Sequence, residues 1–321
     1  VPLAGSFSAG SAFASSPAGR AVDLGPNVLV FDSSMGDAAI QAQVDAVFAT
    51  QQSNQFGTER YALAFRPGTY NVDVNVGFYT HVLGLGDSPD DVVINGHVTV
   101  DAQWLGGNGT QNFWRAAENV CIVPPDGLER WAVAQAGPMR RVHVKGDMTL
   151  WPSPPGNQWS SGGFLADSVV DGQVDSGSQQ QWLSRNDSFG SWTGSNWNMV
   201  FVGTQGAPAQ HFPNPAWTVV DRTPAVREKP FLTVAADGSY RVFVPALRRD
   251  SAGTTWADGP AEGHSIPLSH FHVARPGDSA DAINRALARG LHLLLTPGVY
   301  PLSSPVRVSR PGTVVLGLGL A

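Results

Sequence analysis

The sequence predicts an all-β chain: a parallel β-helix with short capping helices, the first of two tandem β-helix modules. The first observation behind this is a unit that occurs twice. "YALAFRPGTYNVDVNVGFYTHVLGLG" (61–86) lines up with "LHLLLTPGVYPLSSPVRVSRPGTVVLGLG" (291–319). Pro67 matches Pro297, Gly68 matches Gly298 and Tyr70 matches Tyr300 at an offset of 230; the "LGLG" copies beginning at Leu83 and Leu316 are offset by 233. The second observation is what lies between the copies. Short strand-like runs recur there with turns between them and few helical periods: "DDVVINGHVTV", "NVCIVP", "RWAVAQAG", "RRVHVKGDMTL", "GGFLADSVVDGQV", "QQQWLSRNDSF" and "NWNMVFVG". Such spacing suits a sandwich, a barrel or a solenoid. The solenoid fits best, because a helix ahead of the first coil provides the cap that a stack needs.

The elements follow in order. Residues 1–22, "VPLAGSFSAGSAFASSPAGRAV", are rich in small residues and read as a flexible N-terminus of the kind left by signal-peptide removal, so a secreted, extracellular protein is expected. The first module is expected over 23–203. Its cap helix shows in Ile40, Val44, Val47 and Phe48, which fall on one helical face. Residues 204–275 are Pro-rich and aperiodic, then form a hairpin around Asp237-Gly238, and read as a connector. Over 276–321 a second cap helix begins at Asp278 or Ser279, buries Ile283 and Leu287, stops at Gly290, and leads into an incomplete first coil. Val306, Val308, Val314, Val315 and Leu316 read as strands there. An open apolar edge is an aggregation hazard, so the remainder of the same protein is expected to cover the 291–321 strands.

Composition narrows the function. Net charge is −6 and charged residues make up only 14%, against about 25% in ordinary soluble domains. No Lys/Arg-rich run occurs, so neither nucleic acid nor an anionic membrane is expected as partner. No apolar run reaches the roughly 20 residues of a membrane span. The single cysteine, Cys121, excludes an internal disulfide or a cysteine-rich metal site, and its place between Val120 and Ile122 reads as a buried structural thiol.

The helix plus "FRPGTY…VLGLG" pattern resembles the start of pectate-lyase-like right-handed β-helices. Gly162-Gly163-Phe164, Gln180-Gln181-Trp182 with Arg185-Asn186, and Trp197 in a Trp-rich coil resemble the first half of the family-55 glycoside hydrolases. Those are exo-acting β-1,3-glucanases built from two tandem right-handed β-helices. The likeness spans about 24–203 and 270–321. It implies hydrolysis of a polysaccharide or oligosaccharide, a β-glucan, by inversion with a positioned water, with this chain as one wall of the cleft. Two departures stand out. The family's acidic residue in the Trp-rich coil is missing from "NWNMVF", and its catalytic acid belongs to the second β-helix, of which only the first strands are here.

Candidate residues follow from sugar chemistry. Indole rings suit the flat apolar faces of sugars, which points to Trp159, Trp182, Trp192 and Trp197, with Arg185, Asn186 and Asn198 as polar contacts. Gln180 and Gln181 cannot act as acids or bases; one of the amides either holds the attacking water or stacks in an amide ladder. Asp167, Asp171 and Asp175 read as solvated turn carboxylates. His143, His211, His264, His270 and His272 show no metal-ligand spacing, and no carboxylate partner is evident for the His270/His272 pair, so no metal and no cofactor are expected. Two other readings stay open: a polysaccharide lyase using Arg140, Arg141 and Lys145, and a carbohydrate-binding protein without catalysis.

Overall fold

The computed structural model describes residues 22–152 and 158–321; the expected flexible N-terminus lies outside the described residues except for Val22. Nine strands stack in one sheet path: Val28–Phe31, Tyr61–Phe65, Thr80–Gly84, Ala116–Val123, Pro138–Val144, Phe164–Ala166, Gln181–Arg185, Asn198–Val202 and Trp217–Val220. Every neighbouring pair is parallel, so the chain advances by one coil between strands. This is a parallel β-helix. Its last strand, Trp217–Val220, lies beyond the expected limit at Gly203.

Alternation along each strand separates core from surface. Leu63, Val82, Ala117, Met139, Leu165, Ser184 and Phe201 form one inward row across seven coils, and all are buried. One position along, Leu83, Glu118, Arg140, Ala166, Arg185 and Val202 form a row on the other face. One corner of the coils repeats a left-handed residue: Asn119, Arg141, Asp167, Asn186 and Gly203 have φ of 56°, 51°, 55°, 56° and 60°. Asn and Asp tolerate that conformation better than most residues. The Asn119 amide also donates to the carbonyls of Gly84 and Gly86 at 3.1 and 2.8 Å.

The repeat is structural. Helix α1 (Asp37–Gln51) buries Ile40, Val44 and Val47, and helix α2 (Ala280–Ala288) buries Ile283 and Leu287. Ser279 caps α2 by accepting from the Ala282 amide. Tyr70 donates to Arg66 O at 2.7 Å and Phe31 O at 3.3 Å, and Tyr300 donates to Thr296 O and Ala274 O at 2.8 and 2.9 Å. Gln41 on α1 brackets the backbone of Asp73, and Asn284 on α2 likewise holds Arg307 N and Pro305 O. Gly68 and Gly298 share φ of 153°, well away from the roughly +80° of a type II turn, so the Pro-Gly corner is of another kind.

The strands Phe271–Ala274, His292–Leu295 and Val315–Gly317 form a parallel sheet. Leu294, Leu316 and Leu318 from this part join Ala62, Ala64, Leu83 and Leu85 from the first sheet in one apolar cluster. Leu232, Val242 and Val244 from the hairpin Phe231–Val234/Tyr240–Pro245 complete it. The chain's own first sheet and hairpin therefore pack on one face of this C-terminal sheet. Two expectations fail locally. Val306 and Val308 lie outside any strand, and "RWAVAQAG" contributes only Arg130, the last residue of the strand Leu128–Arg130, and a bridge through Trp131.

Candidate active-site wall

The sheet face that carries Arg140 and Arg185 ends in a depression of about 350 Å³. Gln135, Pro138, Arg140, Gly162, Gly163, Phe164 and Gln181 are among its lining residues. Phe164 lies between two cations: the Arg140 guanidinium sits 4.6 Å from its ring centroid and that of Arg185 sits 5.3 Å away. Burial lowers the pKa of Arg140, and Arg185 is held by Glu228. Gln135 and Gln181 both donate through Nε2 to Ser161 O, the latter at 3.2 Å. The shared carbonyl fixes both amides and leaves Gln181 Oε1 and the second amide hydrogens for a solvent molecule or a sugar hydroxyl.

The paired glycines have a physical reason. A Cβ on Gly163 would stand 2.2 Å from Cζ3 of Trp182, whose indole passes beneath the backbone at that point. Gly162 has φ of 117°. Gly163 over the buried indole and Gly162 beside Gln181 form bare backbone in the floor of the depression.

Comparison with known proteins places the fold beside characterised relatives. The LAM55 pectate lyase-like domain model matches residues 271–321. An exo-beta-1,3-glucanase from Streptomyces sp. (strain SirexAA-E / ActE) is 56% identical over 300 residues, covering 93% of this chain and 49% of that protein. The structure of sacteLam55A from Streptomyces sp. SirexAA-E superposes with a TM-score of 0.90 at 55% identity, over 93% of this chain and 54% of that one. A variant of that protein solved in complex with glucose gives a TM-score of 0.90 at 56% identity, over 93% and 53%. The resemblance to the first half of the family-55 glycoside hydrolases holds. The chain spans about half the length of the relatives it matches.

Within this family-55-like wall, the expected site residues separate. Gln181 and Arg185 belong to the wall, and Asn198 is the register partner of Gln181 on the next coil, where it accepts from Thr218 Oγ1 at 2.9 Å. Trp159 and Trp197 are 49% and 65% exposed. Trp197 N donates to Gln180 O at 2.8 Å, which puts its strand entry beside Gln180. Three expectations need correcting. Trp182 and Trp192 are 2% and 7% exposed and pack in the coil core, so they support the wall from inside. Asn186 is fully buried at the left-handed corner, its amide bonded to Ser251, Gly253 and Thr223. The amide ladder falls to the neighbouring Gln179, whose amide donates to Val133 O and Leu150 O at 2.9 and 2.8 Å and accepts from Gly162 N.

Asp167 is no solvated carboxylate. It is buried, pairs with Arg141 at 3.3 Å and accepts from Thr255, and burial raises its pKa to about 6. Arg140, Arg141 and Lys145 do not converge as a lyase cluster: Arg140 lines the depression, Arg141 is buried at the corner, and Lys145 lies 3.8 Å from Asp90. His272 does have a carboxylate, Asp278, at 3.3 Å. Sequence reasoning missed Gln135, Phe164 and Arg140 as wall residues. The Gly-Gly-aromatic motif named Phe164 as a landmark, and only the coil register brings Gln135 beside Gln181.

Proposed function

We propose that this chain forms one wall of the substrate cleft of an extracellular exo-acting β-1,3-glucan hydrolase. The observation that carries the reading is 56% identity, across 93% of the chain, to a protein named as an exo-beta-1,3-glucanase. The wall suits a neutral polymer: two fixed amides and an aromatic ring offer hydrogen bonds and flat apolar contact. In this role Gln181 orients the attacking water and the general acid comes from the facing wall. Arg185 and Phe164 fix the sugar that abuts the sheet. Incubating the natural full-length protein with a linear β-1,3-glucan tests this. Reducing sugar should accumulate as one small product. Release of an unsaturated, ultraviolet-absorbing product would show a lyase, and binding without product would show a carbohydrate-binding protein.

A further inference from the structure

On a different face of the coils, the outward row Val93, Cys121, His143 and Val169 runs beneath the turn Pro89–Asp91. Asp90, Cys121 and His143 each point a ligand atom into the same space, all within 4.8 Å of one another. His143 Nδ1 lies 2.7 Å from Asp90 Oδ1, and its Nε2 lies 3.1 Å from Asp171 Oδ1. We propose that Asp90, Cys121 and His143 bind a thiophilic divalent cation of the zinc or cadmium class, with Asp171 orienting the imidazole from behind.

The donor set selects the ion. A thiolate and an imidazole with one carboxylate suit zinc or cadmium, whereas calcium and magnesium demand oxygen ligands. A tetrahedral zinc with bonds of about 2.0–2.3 Å places its ligands about 3.3–3.7 Å apart. The present contacts bracket that range, so the His143–Asp90 hydrogen bond must open by about half an ångström. Asp90 is exposed and its 3-10 turn is braced by Ser88, so the carboxylate swings while its backbone stays. Lys145, 3.8 Å from Asp90, is half exposed and free to turn into solvent. The carboxylate on the far nitrogen is the partner that metal-bound histidines commonly have. It favours the tautomer with hydrogen on Nε2 and a lone pair on Nδ1. Trp256 closes one side, 5.7 Å from the imidazole, and is itself tied by its indole N–H to Asp167 O.

Binding exchanges one proton for one cation. The Cys121 thiol loses its hydrogen to solvent and its sulfur bonds the metal; nothing is oxidised. The cation competes with the thiol proton, so affinity should rise with pH. The three ligands come from successive coils, and a bound cation would staple them. Sequence spacing hid this group, because the ligands are 22 to 53 residues apart and meet only through the coil register.

The test is a cadmium chloride titration of the natural folded protein, following the ultraviolet thiolate-to-cadmium charge-transfer band, with zinc chloride as competitor. One equivalent should saturate the band, zinc should remove it, and the melting temperature should rise with added cation. Asp90→Asn and His143→Gln should each weaken binding about tenfold or more, and Cys121→Ser should abolish the band. No band in the unmodified protein overturns the proposal. So does unchanged affinity in both Asp90→Asn and His143→Gln, which would mean a thiol binding alone. Those two variants keep the buried cysteine, so they decide the matter even if Cys121→Ser does not fold.

Discussion

Replacing Lys229 by methionine exposes the cost of the carboxylate buried where the modules meet. Lys229 Nζ donates to both oxygens of Glu118 at 2.6 and 2.8 Å, and His81 Nε2 lies 3.3 Å from the same carboxylate. Gly319 N in turn reaches His81 Nδ1 at 3.4 Å, so the cluster links the first sheet, the Lys229 segment and the end of the C-terminal sheet. Burial alone would raise the pKa of Glu118; the Lys229 ammonium and the His81 ring outweigh it and hold the group well below the usual carboxylate range. Breaking a buried pair by removing one partner costs about 3–5 kcal/mol. The Glu118 side chain is 10% exposed but that of Lys229 is 32% exposed, so water softens the loss and about 3 kcal/mol is expected. Urea unfolding at pH 7 measures it. Glu118→Gln added to Lys229→Met should restore most of the loss, because no charge is then stranded. The folded pKa lies below the unfolded one, so the stabilisation is present above the unfolded value and fades as pH falls through the folded value. The gap between wild type and Lys229→Met should therefore narrow in acid. A single variant within about 0.5 kcal/mol of wild type, or a double variant less stable than the single, would refute the reasoning.

Gly298→Ala should cost more than Gly68→Ala despite their shared φ of 153°, because a Cβ at Gly298 would stand 2.1 Å from Pro276 Cγ, whereas at Gly68 the nearest atom is Ser33 Oγ at 3.1 Å. Strain alone is worth about 1–3 kcal/mol, and thermal melts of the two variants compare them; equal losses would contradict the steric argument. His97 sits between Asp73 at 2.8 Å and Asp126 at 3.1 Å; burial pulls its pKa down, but the two carboxylates prevail and raise it. Its stabilisation is full below the unfolded value and is lost as pH rises through the folded one. His97→Gln should therefore lower the melting temperature at pH 5 and do little at pH 9.

The repeat, the cap helices and most strands were legible because they rest on local pattern: Ile40 and Ile283 mark helix faces, and "VCIV" or "NMVFV" is the short apolar, β-branched run of a buried strand. What the sequence hid depends on register between coils. Trp182 and Trp192 looked like a sugar platform, but strand alternation turns both inward. Gln179 rather than its neighbours became the buried amide because it lies on the inner side of the corner before the strand. Gln135 is 46 residues from Gln181, and the two meet at Ser161 O. Asp167, read as a solvated turn carboxylate, and Arg141, read as part of a basic cluster, sit at left-handed corners whose repeat of 17–26 residues varies too much to be read from the chain.

The wall's chemistry is tested most directly by the kinetics of Gln181→Ala and Gln180→Ala in the natural full-length protein on a β-1,3-glucan. Positioning of a water acts on the transition state, so Gln181→Ala should lower kcat by about tenfold or more, equivalent to about 1.4 kcal/mol, with KM and melting temperature little changed. Gln180→Ala should leave kcat near that of the wild type. Wild-type turnover in both variants, or a loss in Gln181→Ala matched by unfolding, would contradict the assignment of this sheet face as the catalytic wall.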